Sequence, residues 1–275
     1  LKKKVAMSAG SLRFDHAIIA VHDLDAAMRN YTSLGFTVFF GGKHANGATH
    51  NALIVLESSD YLELLAPTDP ALLSSPDVSN PNSFLSFFAN GEGLVGFALL
   101  SRNLTKDVEA MRSRGIAIDD PKPNSRVRPD GERLAWRAAM FGDSLVPFLI
   151  EDETPRVLRV SNAPRNIKQT NGVTGVAQLI VAVNDPLKSV IHYINVIGDL
   201  PHIPGIFMRD AKTADFELGK TSVTLAAPTG NSPLRAHLAR RGESPYMLRL
   251  RTKDRKHLGL LDVAKTHGAR IELVE

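Results

Sequence analysis

The chain has no cysteine in its 275 residues. That excludes disulfides, thiolate zinc sites and thiol nucleophiles, and it suits a reducing compartment. Long apolar runs are also missing. None approaches the roughly 20 residues needed to cross a bilayer, so no membrane partner is expected. Neither sign of charge dominates: 33 Lys plus Arg against 29 Asp plus Glu leaves +4. An excess this small over this length gives no reason to expect nucleic acid. There is no glycine-rich phosphate loop with its lysine, no dinucleotide fingerprint, no serine elbow and no zinc-protease motif, so no nucleotide cofactor is expected. The single tryptophan, Trp136, reads as core or wall rather than as a specific stacking platform. The basic stretch Leu1 to Met7 lacks the apolar core of a signal peptide. It reads as a short tail, or as an upstream leader before a start at Met7, and the default location is cytoplasmic.

What is present is a repeat. Phe14-Asp15-His16-Ala17-Ile18-Ile19-Ala20-Val21 runs into a helical stretch, and Val176-Ala177-Gln178-Leu179-Ile180-Val181-Ala182-Val183 does the same far downstream. Each copy later reaches a strand ending in Ala-Pro, at Ala66-Pro67 and Ala227-Pro228. The offset is 162 between His16 and Gln178 and 161 between Glu63 and Thr224. Register held this well indicates duplicated β-α-β units. Weaker copies begin near Leu94 and Tyr246, so four units are expected, and the fourth runs out of chain after its second strand.

In the first unit, alternation marks a strand from Phe14 to Val21, with Phe14, His16, Ile18 and Ala20 on one face. Asp23 is a plausible helix cap, Leu24, Met28 and Tyr31 form the buried stripe, and Gly35 ends the helix. Strands are expected at Phe36–Phe40, Asn51–Leu56 and Tyr61–Leu65, with a loop through Gly41-Gly42 and Asn46-Gly47. The unit is thus β-α-β-β-β. The chain divides into a tail (1–13), a first half of two units (14–152), a linker (153–172) and a second half (173–275) holding one full and one truncated unit. A Pro- and Ser-rich stretch at 68–92 carries an apolar piece, Phe84-Leu85-Ser86-Phe87-Phe88. A helical run is expected again in unit four, and Pro201 to Pro204 breaks unit three.

Strand His16, the Asp23-Leu24-Asp25-Ala26-Ala27 helix start, Leu34-Gly35-Phe36, Gly47-Ala48-Thr49-His50-Asn51-Ala52 and Tyr61-Leu62-Glu63-Leu64 together resemble glyoxalase-like members of the vicinal oxygen chelate superfamily. Arg126-Val127-Arg128-Pro129-Asp130-Gly131 and Leu134-Ala135-Trp136-Arg137 extend the likeness into unit two. The resemblance implies an α+β fold in which tandem βαβββ units pair their mixed sheets into a cup. It also implies a divalent metal on the concave face, held from the first and last strands of a unit. Those positions are His16 and Glu63, whose imidazole and carboxylate suit Fe, Mn, Ni, Co or Zn. The other units depart from the pattern: Gly96 stands at the His16 position in unit two, and Gln178 and Thr224 replace the pair in unit three.

The superfamily hosts lyases, isomerases, dioxygenases and drug binders, so the site must decide the function. The leading expectation is a glyoxalase- or dioxygenase-like enzyme acting on a small oxygenated, anionic substrate in the first half. It works with a metal Lewis acid or with His/Glu acid–base chemistry through His16, His50 and Glu63. His44 and Asn51 are expected beside the substrate. An Arg cluster, Arg126, Arg128, Arg133 and Arg137, offers forks that match carboxylate or phosphate, with Arg126, Arg128, Arg137 and Trp136 assigned to substrate. The alternative is a metal-free protein of the same fold that binds a drug or metabolite. The second half is then a structural copy, or the surface of a homodimer.

Overall fold

The computed structural model describes residues 12–80, 83–141, 147–201 and 210–275. Most of the expected tail, with Met7, lies outside the described residues, as does the break at Pro204. The first unit contains β1 (Arg13–Ala20), α1 (Leu24–Ser33), β2 (Phe39–His44), β3 (Thr49–Val55) and β4 (Tyr61–Pro67). The second repeats it with β5 (Gly93–Leu100), α2 (Leu104–Ser113), β6 (Lys122–Val127), β7 (Arg133–Ala139) and β8 (Phe148–Asp152). These eight strands close into a barrel in the order β1-β4-β3-β2-β6-β7-β8-β5. Corresponding side chains cap both helices: Asp23 Oδ1 accepts from Ala26 N at 2.9 Å and Asn103 Oδ1 from Lys106 N at 3.1 Å. Gly35, at φ +87, takes the left-handed turn that ends α1.

The remaining chain holds α3 (Arg156–Arg159), α4 (Pro164–Ile167), β9 (Val173–Ala182), α5 (Pro186–Ile197), β10 (Ala211–Leu218) and β11 (Thr221–Pro228). It ends with α6 (Pro233–Arg241), β12 (Ser244–Thr252), β13 (Gly259–Leu260) and β14 (Ile271–Val274). Its strands form one sheet of six, ordered β10-β11-β9-β12-β14-β13. The helix expected after β12 does not form. A 3-10 turn at Arg255–His257 and the short β13 take its place. Asp254 accepts from Lys256 N at 3.0 Å, which closes a local turn in competition with a helix. Apolar side chains on the outer face of the barrel, among them Ile19, Leu64 and Leu99, pack in one continuous cluster with Leu179, Leu225 and Leu250 of the second sheet. No helix of the described residues is long and apolar enough to cross a membrane.

Both connecting segments fill the barrel. The stretch after β4 winds through three 3-10 turns, Pro70–Ser74, Pro76–Ser79 and Phe84–Phe88. Leu85 and Phe88 join an interior cluster with Ile18, Ala20, Leu65, Ala98 and Leu134. The stretch 153–172, expected as a linker, folds into α3 and α4. Val160 and Ile167 pack there on Leu53, Val55 and Tyr61. In the parallel pairing of β1 with β4, His16 faces Tyr61 and Ala20 faces Leu65, so the two plugs enter opposite ends of the barrel. One expectation about β1 is corrected. The strand is irregular between Phe14 and His16, so Phe14 turns to the outer cluster and does not share a face with His16.

Candidate active site

Between the plugs lies a chamber of about 30 Å³, room for one or two water molecules. Strand alternation points His16 of β1 and Glu63 of β4 into it. His16 Nε2 stands 3.4 Å from Glu63 Oε2. His44, expected in a glycine-rich loop, is the last residue of β2 and is buried, with Nε2 3.6 Å from Glu63 Oε1. Asn51 of β3 donates from Nδ2 to Glu63 Oε1 at 2.6 Å, and the same amide nitrogen lies 3.5 Å from His44 Nε2. The Thr49 hydroxyl pairs with His44 Nδ1 at 2.8 Å. Trp136 of β7 meets the His44 ring edge-on, and Phe84 of the first plug stacks on it with centroids 5.5 Å apart.

Behind His16 sits an ionic cluster. Asp15 is fully buried and its Oδ2 accepts from His16 Nδ1 at 2.7 Å. Arg159 of α3 reaches the same carboxylate at 2.8 Å and also donates to Tyr61 Oη at 2.8 Å and to Asp152 at 2.5 Å. Arg156 adds a contact to Asp15 at 2.6 Å. Burial would raise the Asp15 carboxyl, but Arg159, the His16 bond and Arg156 hold it well below the usual carboxylate range.

The two histidines shift in opposite directions. Burial disfavours a charged His16, yet its contacts with Asp15 and Glu63 outweigh that and raise its pKa. His44 is lowered by burial, with Arg126, His50 and His16 adding to the effect against the pull of Glu63. Glu63 is pushed up by burial but brought down to about 2 by His16, His44 and Asn51. The surroundings thus favour the charged form of His16 and the neutral form of His44, beside an ionised Glu63. His16 Nε2 is buried without a hydrogen-bond partner.

Arg126 of β6 lines the same chamber and is 4% exposed. Its Nη1 donates to the carbonyl of Gly41, and among the described residues no carboxylate comes within 4.0 Å of it. Gly41 makes the approach feasible: a Cβ there would lie 2.2 Å from Asn51 Oδ1 and 2.8 Å from Arg126 Nη1. Burial lowers the Arg126 pKa, so its charge is under-compensated.

A divalent metal does not fit this donor set. The imidazoles of His16 and His44 approach different oxygens of Glu63, and the Asn51 amide occupies one of them. Among the described residues no three His, Asp or Glu side chains are grouped to hold an ion. The Arg126 guanidinium adds a fixed positive charge to the same chamber.

The chamber thus gathers His16, His44, Asn51, Glu63, Arg126 and Trp136. Three expected site residues lie elsewhere. His50 precedes the inward Asn51 by one residue, so alternation turns it out of the barrel, where it meets the Phe40 ring. Arg128 falls beyond the end of β6 and pairs with Asp130 at 2.6 Å. Arg137, one residue after the inward Trp136, faces out and pairs with Glu151. The sequence reading missed Asp15, Tyr61, Phe84 and Arg159. A carboxylate in an apolar strand beside a histidine was a usable sign for Asp15; Arg159 carried none. In the second half, Gln178 donates to Thr224 at 2.6 Å, Thr224 to Asp215 at 2.5 Å, and Arg249 binds both Gln178 and Glu272.

The fold has solved counterparts. The chain is similar to a hypothetical protein from Staphylococcus aureus, with TM-score 0.72 and 15% identity over 96% of this chain and 100% of that one. It is similar to a mutant of 4-hydroxymandelate synthase from Streptomyces coelicolor, with TM-score 0.62 and 12% identity over 93% of this chain and 78% of that one. A xylose isomerase-like TIM barrel/4-hydroxyphenylpyruvate dioxygenase fusion protein aligns at TM-score 0.52 and 15% identity, over 94% of this chain and 41% of that one. At these identities the likeness speaks to the fold alone. No curated protein matches the chain. Residues 14–196 match the family described as glyoxalase-like domain, which spans the whole barrel and runs into the second sheet. The chain therefore belongs to the glyoxalase-like domain family, on the vicinal oxygen chelate fold.

Proposed function

We propose that the barrel chamber is the active site of an enzyme that moves a proton on a small, oxygenated, anionic substrate. The observation that carries this reading is the pair of histidines with opposite pKa shifts on the two oxygens of one carboxylate. Titratable groups whose environments pull them apart mark the acid and the base. His16 is the acid: its Nε2–H, which makes only a long 3.4 Å contact with Glu63 Oε2, donates to a substrate carbonyl oxygen, and Asp15 holds the ring from behind. His44 is the base. With Nδ1–H donating to Thr49, its Nε2 carries the lone pair that takes a proton from the carbon beside that carbonyl. Glu63 keeps His16 charged between turnovers. Arg126 supplies a buried positive charge that, among the described residues, has no carboxylate within 4.0 Å, which supports a substrate anion as its partner.

Storage of a drug-sized ligand fits less well, because pockets for such ligands run to about 300–1,000 Å³ and this chamber encloses about 30 Å³. Substrate entry requires a wall to yield. His44 and Phe84 stand between the chamber and an outer pocket of about 450 Å³, and Phe84 opens the last 3-10 turn of the first plug.

The test is exchange of carbon-bound hydrogen. Metal-free protein is incubated in D2O with a panel of small 2-oxo and 2-hydroxy carboxylates, and deuterium at carbon is read by NMR. Incorporation should fall by at least about 100-fold in His44→Gln and in His16→Gln. Absence of exchange across the panel, or exchange that survives His44→Gln, rules the reading out.

A further inference from the structure

A second cavity, of about 230 Å³, is bounded by β2, the β6–β7 turn and α3. It shares Arg126 and Arg159 with the chamber, so those two side chains form the wall between them. Arg159 is neutralised by Asp15 and Asp152, and Arg128, at the outer edge, by Asp130. Arg126 is the remaining cation. The rest of the lining is largely apolar. Phe39 and Leu53 contribute to it, and Phe40 and Val157 stand in it 37% and 46% exposed. Large apolar side chains in water beside a charge that lacks a counter-ion make an amphipathic site.

We infer that this basin binds the apolar body of a carboxylate whose charged end is held by Arg126. One uncompensated guanidinium balances one negative charge, which favours a carboxylate over a phosphate dianion. The inference rests on the reading of Arg126 as the anion receptor, and it adds that specificity comes from outside the barrel. The chamber has no space for an apolar body; the basin does. A carboxylate on Arg126 then places its body against Phe40 and Val157.

The test is calorimetric titration of the full chain with hexanoate, acetate and hexanamide. Hexanoate should bind on the order of tenfold tighter than acetate, since its extra carbons leave water, and tighter than the uncharged hexanamide. Phe40→Ser and Val157→Ser should weaken hexanoate several-fold and leave acetate unchanged, whereas Arg126→Lys should weaken both acids. Near-UV circular dichroism verifies the fold of each variant. Equal binding of hexanoate and acetate, or rim variants that bind hexanoate like the natural chain, overturns the basin and leaves the Arg126 reading standing. Failure of the natural chain to bind either acid, or an Arg126→Lys variant that binds both undiminished, overturns the two together.

Discussion

Arg159 grips Asp15 with two nitrogens, Nη1 at 2.8 Å from Oδ2 and Nη2 at 3.3 Å from Oδ1, across 144 residues of sequence. The pair ties the segment that leaves the barrel to the strand that begins it. Because Asp15 also holds His16, the connection between the two halves sets the orientation of a proposed acid. Arg159→Met leaves the buried Asp15 and the half-buried Asp152 with Arg156 as their remaining guanidinium partner. Removal of one member of a buried pair costs about 3–5 kcal/mol, and that loss is expected in urea unfolding. Arg159→Lys should recover part of it, because an ammonium cannot copy the fork that serves Asp15, Asp152 and Tyr61 at once. A variant as stable as the natural chain contradicts this account.

Stability should depend on pH through the same residues. The Glu63 carboxyl titrates at about 2 when folded, against 4.5 without the fold. Its contribution is complete above pH 4.5 and is lost as the pH falls toward 2. At 1.36 kcal/mol per unit, the shift amounts to roughly 3 kcal/mol. His16 works in the other direction. Its folded pKa lies above 6.5, so its contribution is complete below 6.5 and is lost as the pH rises through the raised value. The two together predict a stability maximum between about pH 4.5 and 6.5 from this pair. In Glu63→Gln the acid arm should flatten and the NMR titration of His16 should move down. Parallel acid arms in the two proteins count against the charged pair.

The repeated units of the barrel were legible in the sequence for a physical reason, while their pairing came from the family resemblance. Period-2 alternation with caps at fixed offsets is a local property, and Asp23, Gly35 and the Ala-Pro strand ends repeat it where the structure does. His16 and Glu63 followed from the family resemblance, which points to the first and last strands of a unit. His50 was misplaced because it was assigned to the site together with its neighbour Asn51: β3 alternates without interruption from Thr49, so only one of the two can enter the barrel. Phe84 and Arg159 were not legible at all. They sit on irregular segments whose path is fixed by the interior they plug, and no periodicity encodes that.

Gly41→Ala should damage the site without touching a charged residue. The added Cβ meets Asn51 Oδ1 at 2.2 Å and Arg126 Nη1 at 2.8 Å, both in packed surroundings. Overpacking of this kind costs about 1–3 kcal/mol. The Asn51 amide should withdraw from Glu63, and carboxylate binding at Arg126 should weaken. Thermal unfolding and the acetate titration read the two effects separately. An alanine variant with unchanged melting temperature and unchanged acetate binding argues that the Gly41 carbonyl does not position Arg126.

Trp136 makes the plug observable. It is the only tryptophan, it is 6% exposed, and it lines the chamber whose roof includes Phe84. Its fluorescence therefore reports one location. Phe84→Ala removes the ring stacked on His44 and joins the chamber to the pocket outside. Phe84 is only half-buried, so the stability cost should be about 1–2 kcal/mol, below that of a fully buried phenylalanine. Acrylamide should quench Trp136 more steeply in the variant than in the natural chain. Arg128→Ala, remote from the chamber, should leave quenching unchanged. If Phe84→Ala also leaves it unchanged, Phe84 does not close the chamber, and substrate must enter past another wall.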